Sequence, residues 1–206
     1  MPAPVPTTTL YLVRHAAPVQ DFTQSPDQWV LSPEGKAEAE ALAAEPFWKD
    51  VRVIYSSTEP KALGTAEPAA RRHNLPLRAL PCLGEAARPA GQRFDDYPGV
   101  VAQYLATPKG NLHDWEPNAR VRGRIGACVW RLLDPGQNME YDGPIAVVSH
   151  GLALTLLLAT IQNEAPSFEV WQSMRQPDWA AVEVYSEGCL VRGRLAVPFS
   201  GARTVN

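Results

Sequence analysis

Three short runs in the chain are apolar at nearly every position rather than at alternate ones: Leu10-Tyr11-Leu12-Val13, Val51-Arg52-Val53-Ile54-Tyr55 and Ile145-Ala146-Val147-Val148. Runs of this length and density read as strands covered on both faces, the situation of a parallel sheet between layers of helix. The intervening segments change to helical spacing. Ser32 and Pro33 supply an N-cap and a first helical residue, Ala37, Ala41, Leu42 and Ala44 a small-residue face, and Pro46 a stop. A second helix is expected over residues 59–73, where Pro68 kinks or divides it. Val121, Ile125, Cys128, Val129, Leu132 and Leu133 form an apolar stripe; Arg120, Arg124 and Arg131 lie off it and read as a solvated face, with Asp134-Pro135-Gly136 as the stop. Residues 152–161 are apolar almost all round, which predicts an interior helix, and a short helix is expected over 167–175.

Period-two patterning appears late. Residues 181–185 and 189–197 alternate around Glu187-Gly188 as a hairpin, with Val182 and Val184 on one face. Residues 75–83, broken by Pro76 and Pro81, read as an extended segment near a sheet edge. Strands alternating with helices predict an α/β protein, a three-layer α/β/α sandwich with a mostly parallel central sheet in which strands 8–13, 51–55 and 145–149 are adjacent. Two stretches break the alternation. Residues 19–31 read as a loop over the end of the first strand. Over residues 86–118, prolines and glycines alternate with Phe94, Tyr97, Tyr104 and Trp115, the pattern of an inserted cap with its own aromatic anchors. The expected organisation is a loose leader at 1–7, one domain over 8–197 and a tail at 198–206.

Composition narrows the choice of partner. A chain of 206 residues suffices for one full core. A net charge of -3 carries no basic bias, so a nucleic-acid polymer is not the expected partner. The longest apolar run, at 151–161, is far short of the roughly 20 residues that span a bilayer, and no signal-peptide pattern opens the chain. Cys82, Cys128 and Cys189 are odd in number, distant in sequence and without metal-ligand spacing, which argues for a reducing, cytoplasmic setting.

The chemistry gathers where two of the buried runs end alike, in Val13-Arg14-His15 and in Val148-Ser149-His150-Gly151. If these strands are neighbours, two imidazoles face each other across one crevice and suit a metal or an anion. Neither His73 nor His113 adds a convincing further ligand. His73 follows Arg71-Arg72 at an expected helix end, and His113 belongs to the insert.

Leu12-Val13-Arg14-His15-Ala16 resembles the signature of the histidine phosphatase superfamily, the phosphoglycerate-mutase-like fold. Tyr55-Ser56-Ser57 with Ala62 and Thr65-Ala66-Glu67 is similar to its second motif, Leu83-Gly84-Glu85 to its acidic motif, and Ser149-His150-Gly151 to its last. The resemblance implies that His15 is a nucleophile forming a phosphohistidine, that Arg14 and His150 hold phosphoryl oxygens, and that Glu85 protonates the leaving oxygen. Ser57, Lys61 and Arg88 are further phosphate-binding candidates. Such a pocket needs no metal or cofactor, because side chains supply the positive charge.

Two departures matter. Lys61 stands where the family usually has an arginine, keeping the charge but losing the planar fork, and Glu59 adds a negative charge nearby unless its helix turns it away. Gly64 is read as room for the altered side chain. Ala86-Ala87-Arg88-Pro89 replaces the glycine- and tryptophan-containing segment of the mutase branch, which favours a metal-independent phosphomonoester hydrolase. The alternatives are a phosphoglycerate-mutase-type phosphotransferase and a catalytically weak phospho-ligand-binding protein. A small phosphorylated molecule, or a phosphopeptide, is the expected substrate; monomer and homodimer both stay open.

Overall fold

A computed structural model describes residues 8–108, 112–133, 143–187 and 190–200 of the chain. In chain order the elements are β1 (Thr8–Arg14), α1 (Pro33–Leu42), β2 (Val53–Ser56), α2 (Pro60–His73), β3 (Leu77–Ala79), α3 (Tyr97–Ala106), α4 (Asn118–Leu133), β4 (Ile145–Ser149), α5 (Gly151–Gln162), α6 (Phe168–Ser173), β5 (Asp178–Glu187) and β6 (Leu190–Val197). The strands form one sheet in the order β3-β2-β4-β1-β5-β6. The three fully apolar runs are adjacent and parallel, as β2-β4-β1, with β3 parallel at one edge and the β5–β6 hairpin antiparallel at the other.

Why these runs are apolar at successive positions is visible in the two cores. Leu10 and Leu12 of β1 face the same core as Val53, Ile145 and Val147, whereas Tyr11 and Val13 face the other with Ile54, Ala146 and Val148. Alternate side chains of a strand point to opposite faces, so a strand covered on both sides needs an apolar residue at every position. Helices α4 and α5 lie on the first face, and α2 and the turn Pro46–Lys49 on the second. The all-round apolar helix α5 is buried from Gly151 to Ala159, each of its leucines contributing roughly 1.5–3 kcal/mol of burial free energy.

Ser32 accepts from Gly35 N at the start of α1, the N-cap read from sequence. Helix α2 runs unbroken through Pro68 and ends at Asn74 in the left-handed region, while His73 donates Nε2–H to Ala43 O at 2.8 Å. The extended segment at 75–83 is shorter than expected. Only Leu77–Ala79 pairs with β2, and Pro81–Leu83 turns into a 3-10 helix because Pro81 has no N–H for a ladder. In the insert, Tyr104 and Trp115 are buried, and Asn118 donates to Tyr104 O at 2.8 Å, tying α3 to the start of α4.

Distance in sequence does not keep the cysteines apart in the fold, and the expectation of a reducing setting drawn from them is corrected. The turn 81–83 packs against α4, and Cys82 and Cys128 form a disulfide with Cα atoms 6.0 Å apart, although they are 46 residues apart in sequence. Among the described residues, no helix is long and apolar enough to cross a membrane. The leader at 1–7, Gly110, the stop at Asp134-Pro135-Gly136, Gly188-Cys189 and residues 201–206 of the tail lie outside the described residues.

Candidate active site

Strand register brings the two histidines together. In the parallel β1–β4 pair Val13 is opposite Val148 and Arg14 opposite Ser149, and His15 N continues the ladder by donating to Ser149 O at 3.0 Å. His15 and His150, the next residue of each strand, therefore sit at one level, with ring centroids 5.0 Å apart at 62°. His15 donates Nδ1–H to Ala16 O at 2.8 Å, which leaves the electron pair on Nε2. Burial, then the nearby Lys61, push His15 down to about 3; Arg14 and Arg88 act in the same sense and the Ala16 contact against it. His150 has no solvent exposure, and burial and the charges of His15, Lys61, Arg88 and Arg124 hold it well below the usual histidine range. Both rings are neutral at neutral pH.

The cations differ in how they are held. Arg14 donates Nη1–H to Met174 O at 2.8 Å. Gly151 leaves space beside it, since a Cβ there would lie 3.1 Å from Trp171 Nε1 and 3.4 Å from Arg14 Cζ. Lys61 is buried, donates to Pro26 O at 2.6 Å and forms an ion pair with Glu59. Glu59 is thus turned inward, against the reading that its helix could direct it away. Gly64 faces Leu31, at 3.1 Å from a Cβ, and makes no room for Lys61. Ser57 is fully buried and its Oγ accepts from Glu59 N at 3.2 Å, in the turn ahead of α2 and not on the cavity wall. Arg88 donates Nη1–H to the Tyr97 hydroxyl at 2.6 Å and lies over the Trp115 ring, 5.0 Å from its centroid.

Glu85 reaches the start of α5, where its carboxylate accepts from Leu152 N at 3.1 Å and Ala153 N at 2.9 Å, two of the N–H groups a helix cannot satisfy internally. Its main chain is held by a residue misread as solvated. Arg124 donates to Cys82 O at 3.0 Å, Gly84 O at 2.9 Å and Glu85 O at 3.0 Å, and pairs with Glu116 at 2.8 Å. Helical periodicity places Arg124 off the apolar stripe, but another segment covers that side of α4, and no spacing in the sequence marks it. Ser149 Oγ–H donates to Leu83 O at 2.6 Å, fastening the same segment to β4. On the other side, Ala16 N donates to Thr65 Oγ1 at 3.0 Å, which locks the chain after His15 to α2.

Residues 10–193 match the family model of the histidine phosphatase superfamily, branch 1. The chain belongs to this superfamily. No curated protein matches the chain in a sequence search. Among solved structures, the chain is similar to a mycobacterial glucosyl-3-phosphoglycerate phosphatase, with 24% identity and a TM-score of 0.74 over 92% of this chain and 97% of that one. It is also similar to a putative alpha-ribazole-5'-P phosphatase from Escherichia coli, with 20% identity and a TM-score of 0.69 over 97% and 100% of the two chains. A third, YhfR of Bacillus stearothermophilus, is 22% identical with a TM-score of 0.65 over 92% and 96%. At these identities the likeness is one of fold.

Within this superfamily member, Arg14, His15, Lys61, Glu85 and Arg88 line one cavity of about 610 Å³. Phe22 and Trp29 of the 19–31 loop, Phe94, Tyr97 and Trp115 of the insert, and Trp171 of α6 supply its aromatic side, and Gln20, Gln92, Arg93 and Asp95 add polar groups to the wall. Loop and insert clasp each other over the site, with Gly91 N donating to Phe22 O at 2.9 Å and Arg93 lying 4.2 Å above the Phe22 ring. His113 packs beside Phe94 in the insert, and His73 lies at the far end of α2. Among the described residues, no group of three or more His, Cys, Asp and Glu side chains is arranged to hold a metal ion.

Proposed function

We propose that the protein is a metal-independent phosphomonoester hydrolase that works through a phosphohistidine on His15. One observation carries the reading. The His15 ring is neutral, fixed through Nδ1, and faces a cavity shared with Arg14, Lys61 and Arg88. In the first step the Nε2 electron pair attacks phosphorus, the bond from phosphorus to the alcohol oxygen breaks, and Glu85 gives that oxygen a proton. In the second step water attacks phosphorus, the N–P bond breaks, and Glu85 takes the proton from water. Arg14 and Lys61 on the cavity wall, and His150 buried beside His15, stabilise charge on the non-transferred oxygens, where preorganised donors in a water-poor site matter most. Arg88, held by Tyr97, is assigned to the substrate side of the phosphate.

The cavity is larger than a phosphate needs, and its aromatic wall favours a small phosphorylated molecule with a sizeable alcohol portion over inorganic phosphate alone. The phosphatases named above support hydrolysis over mutase chemistry as the reading for this chain, as does Ala86-Ala87-Arg88-Pro89 at the acidic motif. The expectation of a cytoplasmic location loses its cysteine support to the Cys82–Cys128 pair. One observation favours the second reading, a weak phospho-ligand binder: the Lys61 charge is already engaged by Glu59. Release of phosphate from an aryl phosphate in the presence of a chelator separates the two. Hydrolysis by wild type and none by His15→Ala is expected; phosphate binding without hydrolysis by wild type selects the binder.

A further inference from the structure

Glu59 precedes α2 at the N-cap position, yet its side chain makes no capping bond to its own helix. It is 8% exposed, and its contacts run to three members of the site instead. Oε2 pairs with Lys61, Oε1 accepts from Glu85 N at 2.7 Å, and the same Oε1 lies 3.3 Å from His150 Nε2. Gly84 has no Cβ where one would stand 3.2 Å from that oxygen. His150 is fully buried and neither of its ring nitrogens has a hydrogen-bond partner. Neither Glu59 nor His150 is part of the cavity wall; Glu59 stands beside the His150 ring and the Lys61 ammonium.

We propose that Glu59 is a positioning residue for the transfer reaction, one carboxylate that sets the Lys61 ammonium, the proton of His150 and the Glu85 main chain in a single arrangement. The inference rests on the phosphohistidine reading above. An arginine fork supplies two donors in fixed geometry, whereas a lysine ammonium is a single point charge on a flexible stem. With Lys61 in that place, order has to come from what the lysine is anchored to, and Pro26 O and Glu59 are those anchors. The carboxylate also favours the form of His150 that carries a proton on Nε2. It stands against the charges of His15 on β1, Lys61 on α2, Arg88 in the insert and Arg124 on α4, all of which disfavour imidazolium. Burial holds Glu59 itself above the usual carboxylate range; the Lys61 ammonium and the bond from Glu85 N act against this, and the Glu85 charge adds to it.

Glu59→Gln tests this, because the amide oxygen can still accept from Glu85 N while the charge is gone. The expected result is a loss of about 10- to 100-fold in kcat/KM toward an aryl phosphate and weaker inhibition by inorganic phosphate. Nitrogen-15 spectra of the histidine rings should show the His150 Nε2–H population reduced, and its titration in the phosphate-bound protein displaced to lower pH. Glu59→Asp, which keeps the charge, should recover part of each. Unchanged kcat/KM, phosphate inhibition and His150 ring signals in a folded Glu59→Gln protein would overturn the proposal and leave Glu59 a structural acceptor. That outcome is distinct from failure of the phosphohistidine reading, in which His15→Ala would keep its activity whatever Glu59 does.

Discussion

At the end of β1 the imidazole of His15 is fixed through Nδ1 and lines the cavity. At the end of β4, one ring away, the imidazole of His150 has no solvent exposure and neither nitrogen is hydrogen-bonded. The two residues have the same strand type behind them, the same level in the sheet and the same direction of displacement from ordinary histidine behaviour. What separates them is a place on the cavity wall and the partner of a single nitrogen. A ring whose Nδ1–H is taken by a carbonyl presents a defined electron pair on Nε2, which suits a nucleophile. A ring beside a carboxylate and otherwise unsatisfied suits donation to an incoming anion.

Breaking the comparison outright should have the largest effect. His15→Ala is expected to lower kcat at least about 1000-fold, because it removes the group that forms the covalent bond, whereas His150→Ala, removing one donor to a charged oxygen, should cost about 100- to 1000-fold. Comparable losses would not distinguish the two rings, but phosphoryl transfer to protein would: the His150 variant should still be labelled. If instead the His15 variant is labelled and the His150 variant is not, the roles are reversed.

Next in size is the acid. Glu85→Gln should lower turnover of an alkyl phosphate about 100- to 1000-fold while changing that of an aryl phosphate with a good leaving group less than about 10-fold. Equal losses for both substrates would assign Glu85 to holding the start of α5, where its carboxylate already caps Leu152 and Ala153.

A further effect is on stability rather than on rate. His15 titrates at about 3 in the folded protein and near its ordinary 6.5 when unfolded, so between those values the unfolded chain binds more protons. Stability should therefore fall as pH is lowered from about 6.5 toward 3, by up to about 1.4 kcal/mol per pH unit for each such group. His150, displaced in the same direction, adds to the slope. Thermal denaturation across this range should show a shallower dependence for His15→Ala than for wild type; identical slopes would mean that His15 does not bring a depressed titration into the fold.

Much of this site is legible in sequence because its parts sit at the ends of regular elements. Apolar residues at successive positions mark β1 and β4, and the residue after each run is a histidine, so one register decision places both rings. The contacts that arrange them are of another kind. Arg124 reads as a solvated residue because the pattern of α4 records which side is apolar, not which segment will lie over the polar side. Glu59 reads as an unwelcome charge beside Lys61, since its inward rotamer depends on Gly84 and on the main chain of Glu85, 26 residues away. Cys82 and Cys128 fail for the same reason: their approach is made by the crossing of a short turn and α4, and nothing local encodes it. Periodicity reports an element's own faces, whereas these three depend on the neighbour that a face meets.

Trapping the covalent intermediate tests the central claim most directly. Wild type, His15→Ala and His150→Ala would each be mixed briefly with a phosphorus-32-labelled aryl phosphate, quenched in alkali and digested. The phosphoryl group is expected in wild type and in His150→Ala, on the peptide that contains His15, stable in alkali and lost in acid, and absent from His15→Ala. Rapid turnover by wild type with no labelled peptide at any quench time, or label on a peptide lacking His15, would contradict a phosphohistidine on that residue.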